Sequence, residues 1–256
     1  SIVGAPLMML YQSVESFKTS QTEQLKMFNN LVLKDSYKME DEEGRKTDRI
    51  DFAKVNRDIQ SLIPSIKQTS LLYGVKYGDM SQVATIGSRL LDDPLEIRKF
   101  MSVAGQIKNI DQEADIVEVV APGLEAIMAQ FGLSVGELDS VVKAFAVATN
   151  VTKATTEEIM QALMRSGSTF RAAGVSAEKA IAMTAVSVQA TGLSGENIGN
   201  FYKSIIPRLQ SDSSLKELEN IGIQVYDRDA MGRLVARSAD QILEEVARKY
   251  EGLADP

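Results

Sequence analysis

The sequence contains no cysteine, no histidine and no tryptophan. Without cysteine there is no disulfide framework and no thiolate chemistry. Without histidine, Ser-His-Asp and Cys-His nucleophile systems, histidine-ligated zinc and histidine acid–base catalysis are all excluded. The sequence also has no Gly-Lys-Ser/Thr of a phosphate-binding loop and no Gly-x-Gly-x-x-Gly fingerprint. These absences predict a protein that is not an enzyme and has no catalytic, cofactor-binding or metal-binding residues.

The composition that is present is ordinary for a globular protein. Hydrophobic residues make up 44% and charged residues 25% of the 256 positions, which is enough apolar material for a core. This length predicts one large domain or two small ones. The net charge of −7 argues against binding of nucleic acid or anionic lipid by electrostatic attraction. Composition therefore predicts a soluble, intracellular, helical protein without specific nucleic-acid binding.

The start of the chain indicates a segment of something longer, because Ser1 is not preceded by an initiating methionine. Its apolar first residues follow no basic region, so no signal peptide is predicted. No apolar run reaches the roughly 18–20 residues that a membrane span needs. The longest candidate, residues 116–131, is interrupted by Glu118, Pro122, Gly123 and Glu125. We therefore expect no membrane span in this segment.

The chain is predicted to divide between residues 63 and 64. Residues 7–33 carry apolar side chains at helical spacing, which predicts a long first helix. The stretch 38–51 (KMEDEEGRKTDRID) mixes both charge signs, so we interpret it as a solvated loop or frayed helix, with a processing or hinge site as the alternative. Pro64 is expected to end or begin a helix. Residues 1–63 would then be N-terminal helices with a charged loop, and residues 64–256 a second helical domain.

A recurring Gly-apolar-Ser boundary divides the second half into helices. It occurs at Gly132, Gly174 and Gly192, and in a looser form from Gly78 to Ser81. Glycine suits the left-handed position after an outgoing helix, and serine caps the incoming one. Their spacing predicts an imperfect repeat of helical hairpins, roughly 42–45 residues long. The alternative is a helical domain with unrelated, generic caps.

Further helix starts are marked by capping signals. Ser134 with Glu137 and Thr155 with Glu158 each form a capping box, in which hydroxyl and carboxylate satisfy backbone amides reciprocally. Asp93 before Pro94 is another predicted start. Asp111 or Asp115 is expected to open the next helix, which Pro122 would kink or break.

Near the C-terminus the hydrophobic period changes from helical to alternating. Ile223 and Val225 alternate with polar residues, as do Leu234 and Ala236 after a turn at residues 227–232. This pattern predicts a small β-hairpin at about residues 223–236, followed by a helix that Ser238 and Gln241 cap. The predicted fold class is therefore all-α: a bundle of irregular helical hairpins with one small β-hairpin.

One acidic segment imitates a calcium loop. Asp227, Asp229 and Gly232 match its positions 1, 3 and 6. Position 5 is Met231 and position 12 is Ser238, so the bidentate carboxylate is missing. We interpret the segment as a hairpin turn.

Other candidates for chemistry are also interpreted as structural. Glu15-Ser16 is similar to the acid of some lytic transglycosylases but lacks the following Gly-Leu-Met-Gln, and Asn150 begins a glycosylation sequon without signs of secretion. The eleven methionines are interpreted as core residues rather than a partner groove. Three glycines around a helix start could admit a phosphate, but capping and close packing explain them better: Gly192, Gly195 and Gly199.

The segments FGLSVGELDSVVKAFAVATNVTKATTEEIMQAL, FRAAGVSAEKAIAMTAVSVQATGLSGENIGNFYKSIIPRL and LENIGIQVYDRDAMGRLVARSADQILEEVA follow one another in order. In this order the chain resembles the helical domain of phage tail tape measure proteins of the minor tail protein type. The resemblance covers about residues 70–256 and is strongest from 115 to 250. The family often has Ala-Gly-Thr-Ala-Leu-Arg where this chain has residues 196–202 (ENIGNFY).

The resemblance implies a structural protein of the virion tail that is present in the host cytoplasm during assembly. Such proteins set tail length, template polymerisation of the tail tube and leave the tail when the genome is ejected. The implied partners are the tail tube protein, tail assembly chaperones and tail tip or baseplate proteins, with self-association also possible. The alternative reading is a cytosolic helical adaptor without catalysis, and a further one is an enzyme with a carboxylate pair.

A tape measure role conflicts with the capping signals, because they describe a compact body rather than a rod. A compact chain of this length would have a radius of gyration of roughly 18 Å. We therefore expect a globular module of a longer ruler, lying at a tube end or drawn out inside the tube.

Overall fold

In the computed structural model, the backbone is described for residues 4–251 and the side chains for residues 18–249. Helices dominate this part of the chain, which confirms the all-α prediction. The helices are α1 (Gly4–Val32), α2 (Phe52–Tyr73), α3 (Tyr77–Leu90), α4 (Pro94–Ile110), α5 (Ala121–Phe131), α6 (Leu138–Val151), α7 (Thr156–Ala172), α8 (Ala177–Thr191), α9 (Gly195–Leu209), α10 (Asp212–Asn220) and α11 (Ala239–Glu251). The strands are β1 (Lys38–Glu40), β2 (Lys46–Ile50), β3 (Tyr226–Arg228) and β4 (Leu234–Ala236).

The chain forms two compact units, Ser1–Glu125 and Ala126–Pro256. Their boundary lies within α5. The first unit contains α1 to α4 with the β1–β2 hairpin, and the second contains α6 to α11 with the β3–β4 hairpin. The division expected between residues 63 and 64 falls within α2, and it stays a prediction.

The first unit is built on two helix pairs, α1 with α3 and α2 with α4. The α1–α3 seam is partly polar: Asn30 donates to the Ser88 hydroxyl over 2.9 Å, and Thr85 is fully enclosed at its centre. The apolar core of this unit includes Met27, Leu62 and Phe100, which are completely buried. Because hydrophobic burial is the main stabilising term, these side chains hold the four helices together.

Helix α2 continues through Pro64, so the expectation that this proline ends or begins a helix was wrong. A proline inside a helix removes one backbone donor and crowds the preceding turn. In that turn, Arg98 of α4 donates to the Ser61 carbonyl over 2.9 Å. The apolar positions of α2 also stay buried on both sides of the proline, at Leu62 and Ile66. Tertiary packing thus overrides the local cost.

The charged stretch 38–51 is a β-hairpin, not the solvated loop or frayed helix that was predicted. Lys38 pairs with Ile50 and Glu40 with Lys46, and the register shifts between these pairs. The backbone amide of Asp51 donates to the Tyr37 carbonyl over 2.8 Å and closes the base of the hairpin. The register shift interrupts the two-residue alternation of side chains, so residues 38–51 do not show the apolar–polar pattern typical of strands.

Tyr37 connects the base of this hairpin to the neighbouring helices of the first unit through hydrogen bonds. Its side chain is buried, and its hydroxyl lies 2.9 Å from an Asp58 carboxylate oxygen and 2.8 Å from the Asp92 carbonyl. Burial raises the pKa of the Tyr37 phenol, and the neighbouring Asp58 raises it further. Lys54 lies over the ring, 4.9 Å from its centroid. The hairpin is thereby attached to α2 at its base.

Asp93 and Asp115 are confirmed as helix starts, and the helical run that Asp115 opens continues through Pro122 without a break. Asp93 accepts a hydrogen bond from the Leu95 amide over 2.8 Å at the start of α4. Asp115 caps a π-helical turn, Ile116–Val120, that leads into α5. Pro122 is the second residue of α5 and lies directly after this turn.

The three Gly-apolar-Ser boundaries have the predicted conformation. Gly132, Gly174 and Gly192 all adopt φ between 66° and 75°, the left-handed region that glycine tolerates best. The prediction of a looser helix boundary from Gly78 to Ser81 was wrong, because Gly78 lies in the first turn of α3. Its outgoing helix, α2, ends four residues earlier, at Gly74 with φ 65°.

Candidate functional site

The second unit contains two successive helix pairs, α6–α7 and α8–α9, in which α7 packs on α8 and α9 and not closely on α6. Gly132 and Gly174, which precede the two pairs, are 42 residues apart, the spacing from which the repeat was predicted. Helix α6 packs on α8 and α7 packs on α9, so helices in equivalent positions stack on each other. Packing of alternate helices on each other is typical of repeat proteins, in which each repeat buries its apolar face against its neighbour.

The α7–α9 seam depends on two glycines that the sequence placed in a candidate phosphate site. A Cβ on Gly195 would lie 2.0 Å from the Glu158 carbonyl oxygen. A Cβ on Gly199 would lie 2.7 Å from the Ala162 carbonyl oxygen. Gly192 ends α8 in the left-handed conformation. The three glycines therefore serve close packing and capping, as the preferred interpretation held.

The stacked α6 and α8 leave an apolar groove between them on their outer side. It encloses about 420 Å³. Val147 and Val151 of α6 and Val186 of α8 line it, and they are 61%, 69% and 57% exposed. Alanine side chains from both helices form the rest of its floor. A groove of this kind, between two helices, fits the apolar face of an amphipathic helix.

The polar end of this groove is defined by two charged side chains, Lys143 and Glu178. Glu178 accepts a hydrogen bond from the Ser140 hydroxyl, which links α8 to α6. This hydrogen bond lowers the pKa of the Glu178 carboxyl below its ordinary value, although burial opposes the shift. The groove therefore has one charged end and one apolar end, which would orient a bound helix.

The predicted C-terminal hairpin is confirmed, with Tyr226 opposite Ala236 and Arg228 opposite Leu234. Ile223 and Val225, just before β3, pack into a small core with Ile242 of α11. The hairpin and α11 therefore form one packed element at the end of the second unit.

The turn of this hairpin uses its acidic residues for structure. The Asp229 carboxylate accepts from the amides of Met231 and Arg233 over 2.8 and 2.9 Å, and its second oxygen lies 2.7 Å from Arg233 Nε. These bonds hold the pKa of Asp229 below its ordinary value. Asp227 pairs with Arg237 over 3.1 Å. Both carboxylates of the imitated calcium loop are thus engaged in the turn.

The same turn occurs in the first hairpin, where sequence reasoning missed it. Asp41 accepts from the amides of Glu43 and Arg45 over 3.0 and 2.9 Å, and Arg45 Nε lies 3.0 Å from its second oxygen. Gly44 and Gly232 have the same φ of 76°. The shared signal is Asp-x-x-Gly-Arg, DEEGR at 41–45 and DAMGR at 229–233. Comparing these two pentapeptides would have revealed the first hairpin.

An ion pair between a half-exposed lysine and a buried aspartate joins α8 to the start of α11. Lys179 donates to the Asp240 carboxylate, although 61 residues separate them in sequence. The Asp240 side chain is only 5% exposed. Burial raises the pKa of Asp240, but the Lys179 ammonium and the Ser238 hydroxyl lower it more, so the pKa lies below the ordinary value of 3.8. The pair thus favours the charged carboxylate in the folded state.

We expect Asp240 to make the second unit sensitive to acid. Because its pKa is lower in the folded chain, its contribution is present above pH 3.8 and is lost as the pH falls through the folded pKa. Asp240→Asn should cost about 1–2 kcal/mol at pH 7 and flatten the acid dependence of the unfolding free energy. Urea unfolding at several pH values measures both.

Asp212→Asn, at an exposed position in the first turn of α10, is the matched control. It should leave the acid dependence of the unfolding free energy unchanged. Equal effects of the two substitutions would contradict a specific role for Asp240.

The remaining sequence candidates are not brought together. Glu15 and Ser16 lie outside the described side chains. Asn150, the first residue of the sequon, is near the end of α6, and Thr152 of the sequon donates to the Ala148 carbonyl. Among residues 18–249, no three acidic side chains are grouped as a metal site. That no residue is catalytic stays a prediction.

The described methionines are divided between core and surface. Five of them are buried: Met27, Met80, Met101, Met128 and Met160. Met39, Met164 and Met231 are exposed large hydrophobic residues at three separate places in the chain. The interpretation as core residues therefore holds for the buried group.

A family model described as phage-related minor tail protein matches residues 64–256. The chain belongs to this family. The match covers the second half of α2 and all elements from α3 to α11. It therefore includes the helix pairs α6–α7 and α8–α9 and the C-terminal β-hairpin. As a minor tail protein, the chain has a structural role in the phage tail, and its partners are other tail components.

No solved structure matches this minor tail protein. In the part of the chain that the structure describes, no single helix has the length and apolarity of a membrane span. Two successive helical segments reach the length and apolarity of a span only when they are counted together: Ile116–Phe131 and Val135–Val151. They are bent by 112° at the break between them.

Proposed function

We propose that this chain is a segment of a tape measure protein. In this role it sets tail length, templates polymerisation of the tail tube and leaves the tail during genome ejection. Its partners would be the tail tube protein, tail assembly chaperones and tail tip or baseplate proteins, met in the host cytoplasm during assembly. The observation that carries the proposal is the match of residues 64–256 to the phage-related minor tail protein family.

Two physical features support a ruler. An α-helix advances about 1.5 Å per residue, so a helical chain converts its residue number into length. One such length is the interval of 42 residues between Gly132 and Gly174. The net charge of −7 also suits a component that shares a conduit with DNA and must not bind it.

The role we propose is non-catalytic. The turn carboxylates Asp41 and Asp229 bind backbone amides and an arginine, and Asp240 binds Lys179. The cap carboxylates Glu137 and Glu158 accept from backbone amides over 2.8 and 2.9 Å. These acidic groups stabilise turns and helix starts. The α6–α8 groove is the surface we propose for a helical segment of a tail partner.

The ruler role can be tested by removing one hairpin repeat from the phage gene. Deleting residues 132–173 joins Phe131 to Gly174 and keeps a Gly-apolar-Ser boundary. If the segment is drawn out in the tube, electron microscopy should show tails about 63 Å shorter, at 1.5 Å per residue. A duplication of the same residues should lengthen them by the same amount.

The control phage carries Gly136→Ala, which changes an open position in the same repeat. Its tails should have the original length. Intact, infectious tails of unchanged length from both the deletion and the duplication would overturn the ruler role. They would favour instead the second reading, a helical adaptor, acting through residues outside 132–173.

A further inference from the structure

The C-terminal hairpin of the second unit leaves one apolar strand exposed. Strand β4 consists of Leu234, Val235 and Ala236, and all three residues are exposed. The side chains of Leu234 and Val235 are 66% and 49% exposed. Strand residues of this kind usually pack against neighbours on a half-buried surface. β4 therefore presents apolar surface that no other part of the described chain covers.

The backbone of β4 also has an open edge. The Arg237 amide donates to the Val225 carbonyl over 2.9 Å, which makes these two residues a hydrogen-bonded pair. Bonded and non-bonded pairs alternate in an antiparallel ladder, so the backbone N–H and C=O groups of Leu234 and Ala236 point away from β3. In the part of the chain that the structure describes, neither residue takes part in a turn, loop or side-chain hydrogen bond. Their outward backbone groups are available to a further strand.

The first hairpin shows that an open apolar edge is not a property of the shared turn. Both hairpins turn through Asp-x-x-Gly-Arg, at residues 41–45 and 229–233. Strand β2, KTDRI, carries lysine, aspartate and arginine, and its register with β1 shifts. Charges and bulges of this kind hinder the addition of a further strand. β4, LVA, has no charged residue and a regular register with β3, so it lacks this protection.

The charges beside β4 indicate what kind of strand would bind there. Arg233 directly precedes β4, and its side chain is 72% exposed although Nε lies 2.7 Å from Asp229. Arg228 of β3 lies opposite Leu234 and donates to the Gly232 carbonyl over 2.8 Å. Within the described chain it forms no ion pair. A carboxylate on an added strand would complement these two guanidinium groups at the turn end of β4.

We propose that the outer edge of β4 binds an extended segment of a partner protein, which adds a third strand to the hairpin. The segment would be apolar where it passes Leu234 and Val235, and it would carry a carboxylate beside the turn. Backbone hydrogen bonds to Leu234 and Ala236 would supply affinity, and the two arginines would select the acidic residue. The inference concerns a different surface from the α6–α8 groove and is independent of the role in tail length.

A second copy of the chain is a poor occupant of this edge. If two β4 strands paired antiparallel about Val235, Arg233 of one copy would lie opposite Arg237 of the other. Like charges directly opposite each other destabilise a sheet. The charge pattern therefore favours a different protein over a second copy.

Capped peptides of the expected chemistry test the site directly. The probe is Glu-Val-Thr-Val-Glu, whose two glutamates place a carboxylate beside the turn in either strand direction, and the control is Lys-Val-Thr-Val-Lys. In nuclear magnetic resonance titrations of the 256-residue chain, the acidic peptide should bind about tenfold more tightly than the basic one. It should slow hydrogen exchange of the Leu234 and Ala236 amides. Exchange of the Val235 amide, which faces Asp227 within the ladder, should stay unchanged.

Variants of the protein and of the peptide separate the edge from other surfaces. Ala236→Pro removes an outward N–H without removing a bond of the β3–β4 ladder, and it should abolish binding of the acidic peptide. Met231→Ala, at the exposed tip of the turn, is the matched control and should bind like the wild type. Arg228→Gln should reduce the preference for the acidic peptide. Because proline can also disturb a hairpin, the acidic peptide is in addition N-methylated at every residue, which removes its backbone donors, and it should then not bind the wild type.

Three results would overturn the proposal. The first is the absence of binding by the acidic peptide, or equal binding of the acidic and basic peptides. The second is binding of the N-methylated peptide, because the contact would then not be strand addition. The third is a wild-type chain that sediments as a dimer while Ala236→Pro sediments as a monomer, since a second copy would then occupy the edge.

Discussion

Replacing Gly195 with alanine should lower the melting temperature of the second unit by about 10 °C, a loss of about 3 kcal/mol. The added Cβ would lie 2.0 Å from the Glu158 carbonyl oxygen and 2.7 Å from the Glu158 Cα. Both atoms belong to the backbone of α7, so no side-chain rotation relieves the clash. The α7 and α9 helices must separate, and the packing along their seam is lost. Thermal unfolding followed by circular dichroism measures the shift.

Gly199→Ala should have a smaller effect of the same sign. Its Cβ would meet the Ala162 carbonyl oxygen at 2.7 Å and Ala162 Cα at 3.0 Å. The two substitutions open the same seam, so the double variant should cost less than the sum of the single ones.

Gly136→Ala is the matched control for both glycine variants. A Cβ there would meet only the Ser134 hydroxyl, at 3.8 Å. Its melting temperature should match or slightly exceed that of the wild type, because alanine restricts the unfolded chain. A Gly195→Ala protein as stable as Gly136→Ala would show that the α7–α9 approach does not limit stability.

Phe100→Ala should destabilise the first unit by about 3–5 kcal/mol. The ring is completely buried on α4 and packs against the backbone of α3, where a Cβ on Gly87 would lie 2.9 Å from it. Removing the ring leaves a cavity between two helices that are held apart by their other contacts. Urea denaturation should show the loss as a lower midpoint with an unchanged slope.

Leu95→Ala on the same helix provides the comparison for Phe100→Ala. Leu95 is 66% exposed, so its truncation should change the unfolding free energy by less than about 0.5 kcal/mol. Combining Gly87→Ala with Phe100→Ala should cost less than the two separate losses, because the new methyl group fills part of the cavity. Strict additivity would contradict direct packing of the ring on Gly87.

The helix ends of this minor tail protein could be predicted in detail because their signals are local. Thr155 and Glu158 form the predicted capping box, with the Thr155 amide donating to the Glu158 carboxylate over 2.9 Å. Ser238 donates to Gln241 at the start of α11, as expected. Each signal operates over three or four residues, so the chain itself brings the partners together.

The first hairpin was missed for two physical reasons. Strand β1 contains a single apolar residue, Met39. The register shift between the strands also interrupts the alternation of apolar and polar residues that would indicate a strand. What fixes the hairpin is the Asp41 turn and the buried anchor at Tyr37. The turn signal was readable by comparison with residues 229–233, whereas the anchor depends on Asp58 and Asp92, which are distant in sequence.

The candidate surfaces also combine features that the sequence predicts with features that only helix packing determines. The apolar stripe of α1 and the repeat of 42 residues are properties of the sequence, since spacing alone determines which residues share a helix face. That α6 and α8 leave an apolar groove between them follows from how separate helices pack. No local pattern encodes the distance between two helices.

The helical class, the capped helix starts and the C-terminal hairpin could thus be predicted from the sequence, because capping and periodicity act between near neighbours. The close helix approach at Gly195 and Gly199 and the ion pair between Lys179 and Asp240 are visible only in the tertiary structure. The same holds for which apolar helix faces remain exposed. These features join residues up to 61 positions apart. Their energies depend on packing distances that arise only when the helices assemble.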